Sequence, residues 1–568
     1  MTEPTGNKKD MPMEIRLLIA FLLMGVVLFV TPYFYKPQPP PQPEKKQAPA
    51  AVQEPPKPAS SKPAEAPKEA PKAAETAVNA AKEEVHAVET DLYRVEFSNR
   101  GGVIQSWVLK KYHDGNGKPV ELVNTAGAAK AMPALSLDFK EDKPQADLNQ
   151  ALYAVHKPDP MAIEFTFSDG KSSAKKSFRF RRDAYIVDVD SQVSSGGKSI
   201  PHYLVWRGGF GDQTAFNAAS TQHTVFFDLA NNKLVVHSAG DGQDGPVVES
   251  GSFSFAGLED VYFAAVFLPA SGLVSEIKTL SDSLTPQGES KAVPHAGVAV
   301  GGTGSLRAGL FVGPKDVDIL KRVDPRLNKL IDYGWFFFIA EPLFYSLHWV
   351  NDRIANNWGW AIVIVTVIIN ILMLPLKFSS LKSMKKMQSL QPHIAAINEK
   401  FRNVGLRDPK KQEQNQEVMA LYKKHGVNPM GGCMPMILQI PFFIAFYKVL
   451  SVSIELRGAT WLWVGDLSQP EKLAIRVLPI AMLATQFILQ KMTPATTADP
   501  SQQRIMLVMP LVLGFMFYNV QSGLVLYWLT GNVVGIAQQW IFNRLSHAPV
   551  VQAPVQPVQQ KKKRGSRN

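Results

Sequence analysis

The sequence predicts a multidomain membrane protein: a polar antiparallel β domain outside the membrane, joined to an α-helical polytopic core, with six transmembrane helices in all. Three observations carry that prediction. Residues 37 to 330 are polar overall, whereas residues 331 to 545 are dominated by Leu, Ile, Val, Phe, Met and Trp. Short runs of period-two alternation, punctuated by Gly, Asn and Asp, fill the polar part, as in antiparallel sheets. Basic residues gather in the segments that flank the apolar runs, where they set membrane orientation.

A chain of 568 residues is too long for one ordinary domain. Its net charge of +12 is compatible with nucleic-acid binding. The placement of that charge beside apolar spans and in the tail fits anionic lipid headgroups better. The only cysteine, Cys433, excludes an intramolecular disulfide and a thiolate metal cluster. There is no GxxxxGK[ST] loop, no GxSxG elbow and no metal-ligand spacing among the histidines. The sequence thus points away from ATP consumption and bond cleavage, and predicts no enzyme, cofactor, metal or small-molecule substrate.

Residues 1–36 read as a cytoplasmic N-terminus and a signal anchor. Leu17 to Tyr35 is apolar, follows Lys8, Lys9 and Arg16, and is followed by no small-residue cleavage site. Residues 37–90 are rich in Pro, Ala, Lys and Glu, a composition that builds no core, and read as a flexible tether. Residues 91–328 form the β domain. Tyr93, Val95 and Phe97 alternate with Arg94, Glu96 and Ser98 before a Gly101-Gly102 turn, and strand-like runs recur at 103–109, 162–167, 185–193, 224–229, 261–268 and 296–300. Residues 329–357 are very aromatic but carry Glu341-Pro342 at their centre. They read as an interfacial amphipathic helix with Trp335 and Trp349 at headgroup level.

Five apolar runs in 358–545 complete the six spans, at about 358–376, 431–451, 474–491, 506–519 and 524–543. The N-terminal basic residues, the 377–430 segment and the basic tail at 546–568 then all fall on the cytoplasmic side, which leaves the β domain outside. Within 377–430, Met384, Met387, Leu390, Ile394, Ile397 and Phe401 recur at helical spacing. After a break, Val418, Leu421 and Tyr422 follow, so the segment reads as a helical hairpin. It is either a solvated hairpin obeying the charge rule or a docking site for an anionic ribosome or targeting particle.

Polar side chains inside the spans are the candidate site, because such groups are costly there without a partner or water. Thr366 and Asn370 share one helix face, and Lys377 continues it to the cytoplasmic mouth. Gln439 lies in the second core span, and Gln486 and Gln490 lie in the third. In the last span Trp528, Asn532 and Gln539 share a face. Taken singly, each fits an interhelical hydrogen bond. Taken together and weighted toward the cytoplasm, they favour a hydrated groove closed toward the outside.

Several stretches resemble the YidC insertase family of Gram-negative bacteria: NWGWAIVIVTVIIN from 357, NPMGGCMPMILQIPFFIAFYKVL from 428, SVSIELRGA from 451, MPLVLGFMFY from 509 and SGLVLYWLTGN with AQQW in the last span. The resemblance covers nearly the whole chain in order. It implies a periplasmic β-supersandwich and a core that inserts and folds inner-membrane proteins, alone or beside the Sec translocon, through a groove open to the cytoplasm and to lipid. It further implies a substrate slide on the second core span and the 506–519 span, here Cys433, Pro435, Ile440, Pro441, Phe443, Leu511, Phe515 and Met516. Nascent membrane proteins would be the substrates. Lys382, Lys385 and Lys386 of the hairpin and Lys561, Lys562, Lys563 and Arg564 of the tail would recruit ribosome, targeting particle and anionic lipids. The family usually carries an arginine where this chain has Asn370. An amide donates and accepts but cannot attract a carboxylate as a cation does. The expectation from sequence is that Asn370→Ala is mild and Asn370→Arg is tolerated.

Two other classes compete. A polytopic transporter or channel with a periplasmic binding domain would need a path open to both sides, often built on internal repeats, and no repeat is visible. An enzymatic β domain of sugar-mutarotase outline has His202 and His223 available, in no arrangement that makes an acid/base pair.

Overall fold

A computed structural model describes residues 77–140, 142–215, 218–269, 274–285, 291–402, 410–428, 434–493 and 500–545. The predicted N-terminal anchor, most of the tether and the basic tail lie outside these residues. The described residues form two compact units, a β unit that runs to Asp332 and also takes in Ser451–Glu455, and a helical unit of the remaining residues from Tyr333.

The β unit opens with a four-stranded sheet, β1 (Val85–Glu89), β2 (Tyr93–Ser98), β3 (Val103–His113) and β4 (Pro119–Glu121), in sequence order. β1 corrects the tether boundary at residue 90: it pairs with β2 from Val85↔Ser98 to Glu89↔Arg94. A mostly exposed edge strand with Ala and Glu among its residues blends into the Ala/Glu-rich composition before it. β2 turns into β3 through Gly101 and Gly102, at φ +75° and +56°. A Cβ on Gly101 would stand 2.6 Å from the Asn149 carbonyl, so the turn needs glycine on both counts. One short helix, α1 (Thr125–Lys130), follows β4.

The remaining strands are β5 (Ser136–Phe139), β6 (Ala154–Asp159), β7 (Ala162–Ser168), β8 (Ser172–Phe180), β9 (Ile186–Ser195), β10 (Lys198–Ser199), β11 (His202–Trp206), β12 (His223–Asp228), β13 (Lys233–Ser238), β14 (Val247–Glu259), β15 (Phe263–Pro269), β16 (Val274–Leu284), β17 (Val293–Thr303) and β18 (Ser305–Pro314). Their main path runs β5-β11-β17-β16-β14-β15-β18-β9-β8-β7-β6. The long strand β14 joins its two halves. Val247–Ser252 pairs with β16, whereas Ala256–Glu259 pairs with β15. Every pairing in the unit is antiparallel, as the alternation predicts. The small sheet packs an aromatic layer against β7 and β8: Phe97 lies 5.5 Å from Phe165 and 4.9 Å from Phe178, and Tyr93 lies 5.1 Å from Trp107. α2 (Val317–Val323), capped by Asp316, ends the unit.

Strand β8 escapes the sequence pattern because an inward position is a lysine. Lys176 is fully buried and donates to the carbonyls of Gly101 at 2.8 Å, Gly102 at 3.3 Å and Leu135 at 2.7 Å. Three acceptors match the three donors of an ammonium group.

The helical unit starts with α3 (Phe337–Val350), which buries Ala340, Leu343, Phe344, Leu347 and Val350 and leaves Trp335, just before it, and Phe337, Phe338 and Trp349 exposed. A π-turn at Asn351–Ala355 and Asn356 in the left-handed region end it. Asn357 then caps α4 (Trp358–Leu372) by accepting from the Trp360 N–H. Among the described residues no single helix is long and apolar enough to cross a membrane; α3 with its π-turn and α4, bent by 114°, reach that length only together. The predicted run to Leu376 is interrupted at Met373, and α5 (Leu374–Ser389) carries Pro375 at its second position, which has no N–H for the preceding turn.

The predicted helix across Met384 to Phe401 is also divided: Pro392 restarts the chain as α6 (Gln391–Lys400). α7 (Lys410–Lys424) lies against it, with Val418, Leu421 and Tyr422 packed on Met387, Leu390, Ile394 and Val427. The hairpin is thus three helices, not two. α8 (Met434–Val452), α9 (Val477–Met492), α10 (Pro500–Phe517) and α11 (Ser522–Leu545) follow.

Burial pushes the Lys176 ammonium down to about 7, against about 10.4 in an unfolded chain. Between these values the unfolded state binds more protons, so stability rises with pH across that window. Thermal unfolding of the detergent-solubilised chain, followed by near-UV circular dichroism at pH 6.5, 8 and 9.5, is expected to show this rise in the wild type. Lys176→Met is expected to remove it, and to destabilise the β unit by on the order of 3 kcal/mol by leaving three carbonyls unpaired.

Candidate functional polar site in the helical unit

Helix α4 buries the face carrying Gly359, Ala361, Ile362 and Val365, and that face takes Thr366 and Asn370 inward. Thr366 Oγ1 donates to the Ile362 carbonyl at 2.6 Å, so its hydroxyl is satisfied within its own helix. Asn370 Nδ2 donates to the Thr366 carbonyl at 2.8 Å. Its Oδ1 accepts from Lys377 Nζ at 2.6 Å. The same ammonium donates to Gln538 Oε1 at 3.2 Å, and Gln538 Nε2 donates to the Asn370 carbonyl at 3.1 Å. Asn370, Lys377 and Gln538 therefore close a triangle across α4, α5 and α11. Asn370 and Gln538 are buried and Lys377 is half-buried. Among the described residues no carboxylate pairs with the ammonium.

The other predicted residues serve different contacts. Asn532 is buried and donates from Nδ2 to the Met482 carbonyl at 3.2 Å and Thr485 Oγ1 at 3.3 Å, tying α11 to α9. Trp528 Nε1 donates to Gln486 Oε1 at 3.1 Å between the same helices, and both side chains stay half-buried. Gln439, also half-buried, hydrogen-bonds the Tyr527 hydroxyl. Gln539 is buried and reaches only along its own helix, to Asn543 Oδ1 at 3.0 Å. The structure thus joins Asn370 to Lys377 and Gln486 to Trp528, and turns Asn532 and Gln539 away from that triangle.

Gln538 was not among the sequence candidates. Asn532 and Gln539 are seven residues apart and nearly eclipsed on a helix, which selects Gln539 as the continuation of the Trp528 face. Asn532 and Gln538 are about 120° apart. The helix has two polar faces, one toward α9 and one toward α4, and a single-face reading finds only the first. The signal available was the adjacent pair Gln538-Gln539 itself.

Of the residues implied as a slide, Phe443 is buried. It packs at 5.0 Å on Trp528 and 5.9 Å on Phe517, and therefore belongs to the helix interface. Phe446 stacks on Tyr527 at 4.0 Å beside it. Ile440 and Pro441 are half-buried on α8, and Pro435 lies in its first turn. On α10, Leu511 is exposed, Met516 is half-buried, and Phe515 is 86% exposed. Cys433, Lys561, Lys562, Lys563 and Arg564 lie outside the described residues. On α5, Lys382 and Lys386 are exposed and Lys385 is half-buried.

Comparison with known proteins covers both units. Residues 86–346 match the family described as the YidC periplasmic domain, and residues 349–549 match that described as the 60Kd inner membrane protein. The membrane protein insertase YidC of Syntrophus aciditrophicus (strain SB) is 36% identical over 572 residues, covering 94% of this chain and all of the relative. The protein of that name from Geobacter sp. (strain M21) is 37% identical over 472 residues, covering 80% of this chain and 85% of the relative. Among solved structures, an active YidC insertase with its first transmembrane domain resolved aligns at 18% identity and a TM-score of 0.35, covering 82% of this chain and 94% of that one.

The triangle reverses one expectation from sequence. An arginine at position 370 would put a guanidinium against the Lys377 ammonium, which now sits 2.6 Å from Asn370 Oδ1. Asn370→Arg is therefore expected to be unfavourable, by roughly 1–4 kcal/mol for like charges in contact at an effective dielectric near 20 or above. Lys377→Gln added to it is expected to restore stability. Thermal unfolding of the two single variants and the double variant measures the coupling, and additive effects would contradict the contact.

Proposed function

Because the chain belongs to the YidC family of membrane protein insertases, we propose that it moves short polar segments of its substrates past the hydrocarbon at the Asn370–Lys377–Gln538 site, while their apolar helices leave into lipid. Membrane proteins are its substrates, and the inner membrane, with the β unit periplasmic, is its location. The proposal extends to six crossings with both termini cytoplasmic, which the placement of basic residues supports. In this topology the bent pair α3–α4 is one interfacial helix followed by one span.

The observation that carries the site is a half-buried ammonium held by two neutral amide oxygens and no carboxylate among the described residues. An ionisable group inside a membrane-spanning bundle is retained for a pathway or a binding surface. Half-buried Gln439, Gln486 and Trp528 add hydrogen-bonding groups farther along the same bundle. Exposed Leu511 and Phe515 on α10 offer an apolar surface for a leaving helix.

The energetics need no external fuel. At about 25 cal/mol per Å², burying several hundred Å² of an apolar helix releases on the order of 10 kcal/mol. That outweighs a few polar groups in a short translocated segment but not a long charged one. The exposed Lys382 and Lys386 of α5 give the proposed ribosome, targeting-particle and anionic-lipid contacts a basic surface. Partnership with the Sec translocon belongs to the same proposal.

Site-specific photocrosslinking tests the path. A photoreactive residue at Gln439 is expected to capture a ribosome-stalled single-span chain, and to lose it once that chain is released and inserted. The same probe at exposed Ile368 serves as the lipid-facing control. Silence at Gln439 under conditions where insertion proceeds would exclude this path.

A further inference from the structure

Helix α4 stops at Leu372, and carbonyls in the last turn of a helix lose their intrahelical partners. Pro375 adds no N–H at the start of α5. Gln538 of α11 reaches both sides of this break, with its amide N–H on the Asn370 carbonyl at 3.1 Å and its amide oxygen on the Lys377 ammonium at 3.2 Å. One turn further along α11, Phe542 packs on Phe378 with ring centres 5.7 Å apart. The same helix therefore clamps the α4–α5 junction at two successive levels.

A lysine at such a place has an alternative. Its flexible stem lets the ammonium swing out to water or headgroups. Two amide oxygens oppose that swing by occupying two of its three donors, from Asn370 and from Gln538. No described residue takes the third.

We infer that Gln538 is a positioning residue for insertion: it holds the Lys377 ammonium at the α4–α5 break with one donor left for an oxygen of the passing substrate, a carboxylate above all. The inference rests on the proposed function. Neutrality of the amide is essential to it. A carboxylate at position 538 would pair with Lys377 and cancel its attraction for an acidic substrate. An apolar side chain would release the ammonium and leave the Asn370 carbonyl unpartnered.

The test uses the full chain in proteoliposomes and two single-span reporters that differ only by Asp or Asn in a short translocated segment. The readout is the initial rate of protease protection. Wild type is expected to insert the Asp reporter faster than the Asn reporter. Gln538→Glu is expected to reduce that preference, read as the ratio of the two reporters' rates, five- to tenfold. Gln538→Met is expected to weaken it less, and Lys377→Gln to abolish it with or without Gln538→Glu. A Gln538→Glu protein that slows both reporters equally, or a wild type indifferent to the Asp, would overturn the inference, since packing alone makes no distinction between the reporters. A wild type that inserts neither would overturn the proposed function, and the inference with it.

Discussion

A helix that ends within a bundle leaves carbonyls that other side chains must satisfy, and the break between α4 and α5 imposes this on the helical unit. Pro375 withholds the N–H that would pair with the Ile371 carbonyl, and Gln538 of α11 donates to the neighbouring Asn370 carbonyl. Because Gln538 is committed there, α11 has to present a polar group toward α4. Its Asn532, on another face, binds the Met482 carbonyl of α9. One helix is thus hydrogen-bonded to neighbours on two sides, and its aromatic residues Tyr527 and Trp528 pack on Phe446 and Phe443 of α8. The polar contacts fix rotation and register, while the aromatic contacts supply the area.

Each unit withdraws a lysine from solvent, Lys176 fully and Lys377 by about half, and counting donors separates them. Lys176 in the β unit meets three carbonyls, at the Gly101-Gly102 turn and at Leu135, and has nothing left to offer. It pins a turn to the β5 segment and is part of the scaffold. Lys377 meets two amide oxygens and no described third group. A lysine whose donors are all taken ties its acceptors together, whereas one with a donor to spare can take a further oxygen. The same residue type therefore carries opposite meanings, and only the acceptor count reveals which.

Much of this was legible in the sequence. Runs of strand-forming residues located β2, β3, β7, β9, β12, β15 and β17, with alternating burial clearest in β2 and β9. They missed β1, β4, β5, β6, β8, β10, β11, β13, β14, β16 and β18; in β8 the inward Lys176 breaks the pattern, and β1 is an edge strand with little to bury. Helical spacing grouped Thr366, Asn370 and Lys377 on one face of one helix; the helix ends between them, yet Asn370 and Lys377 are in contact across the break. It extended that helix too far and joined α5 to α6, because periodicity of apolar residues continues through a proline that the backbone cannot ignore. Gln538 stayed hidden for another reason. Which of two adjacent glutamines faces α4 depends on how α11 is rotated, and distant contacts with α9 and α4 set that rotation.

The amide at position 370 gains meaning from the same geometry. A guanidinium is planar and rigid, so an arginine can hold its charge in place with its own fork of donors. A lysine has a point charge on a mobile stem and needs outside acceptors to stay put. Moving the cation from position 370 to Lys377 therefore requires two changes at once: an acceptor at 370, which Asn370 Oδ1 provides, and a second acceptor from a neighbouring helix, which Gln538 Oε1 provides. An alanine at 370 would remove the first and an arginine would repel the lysine. Asparagine supplies that acceptor and also donates back to the Thr366 carbonyl at 2.8 Å, which keeps its oxygen aimed at the ammonium. Asn370, Lys377 and Gln538 thus form one hydrogen-bonded unit, and the placement of its charge is a property of the three together.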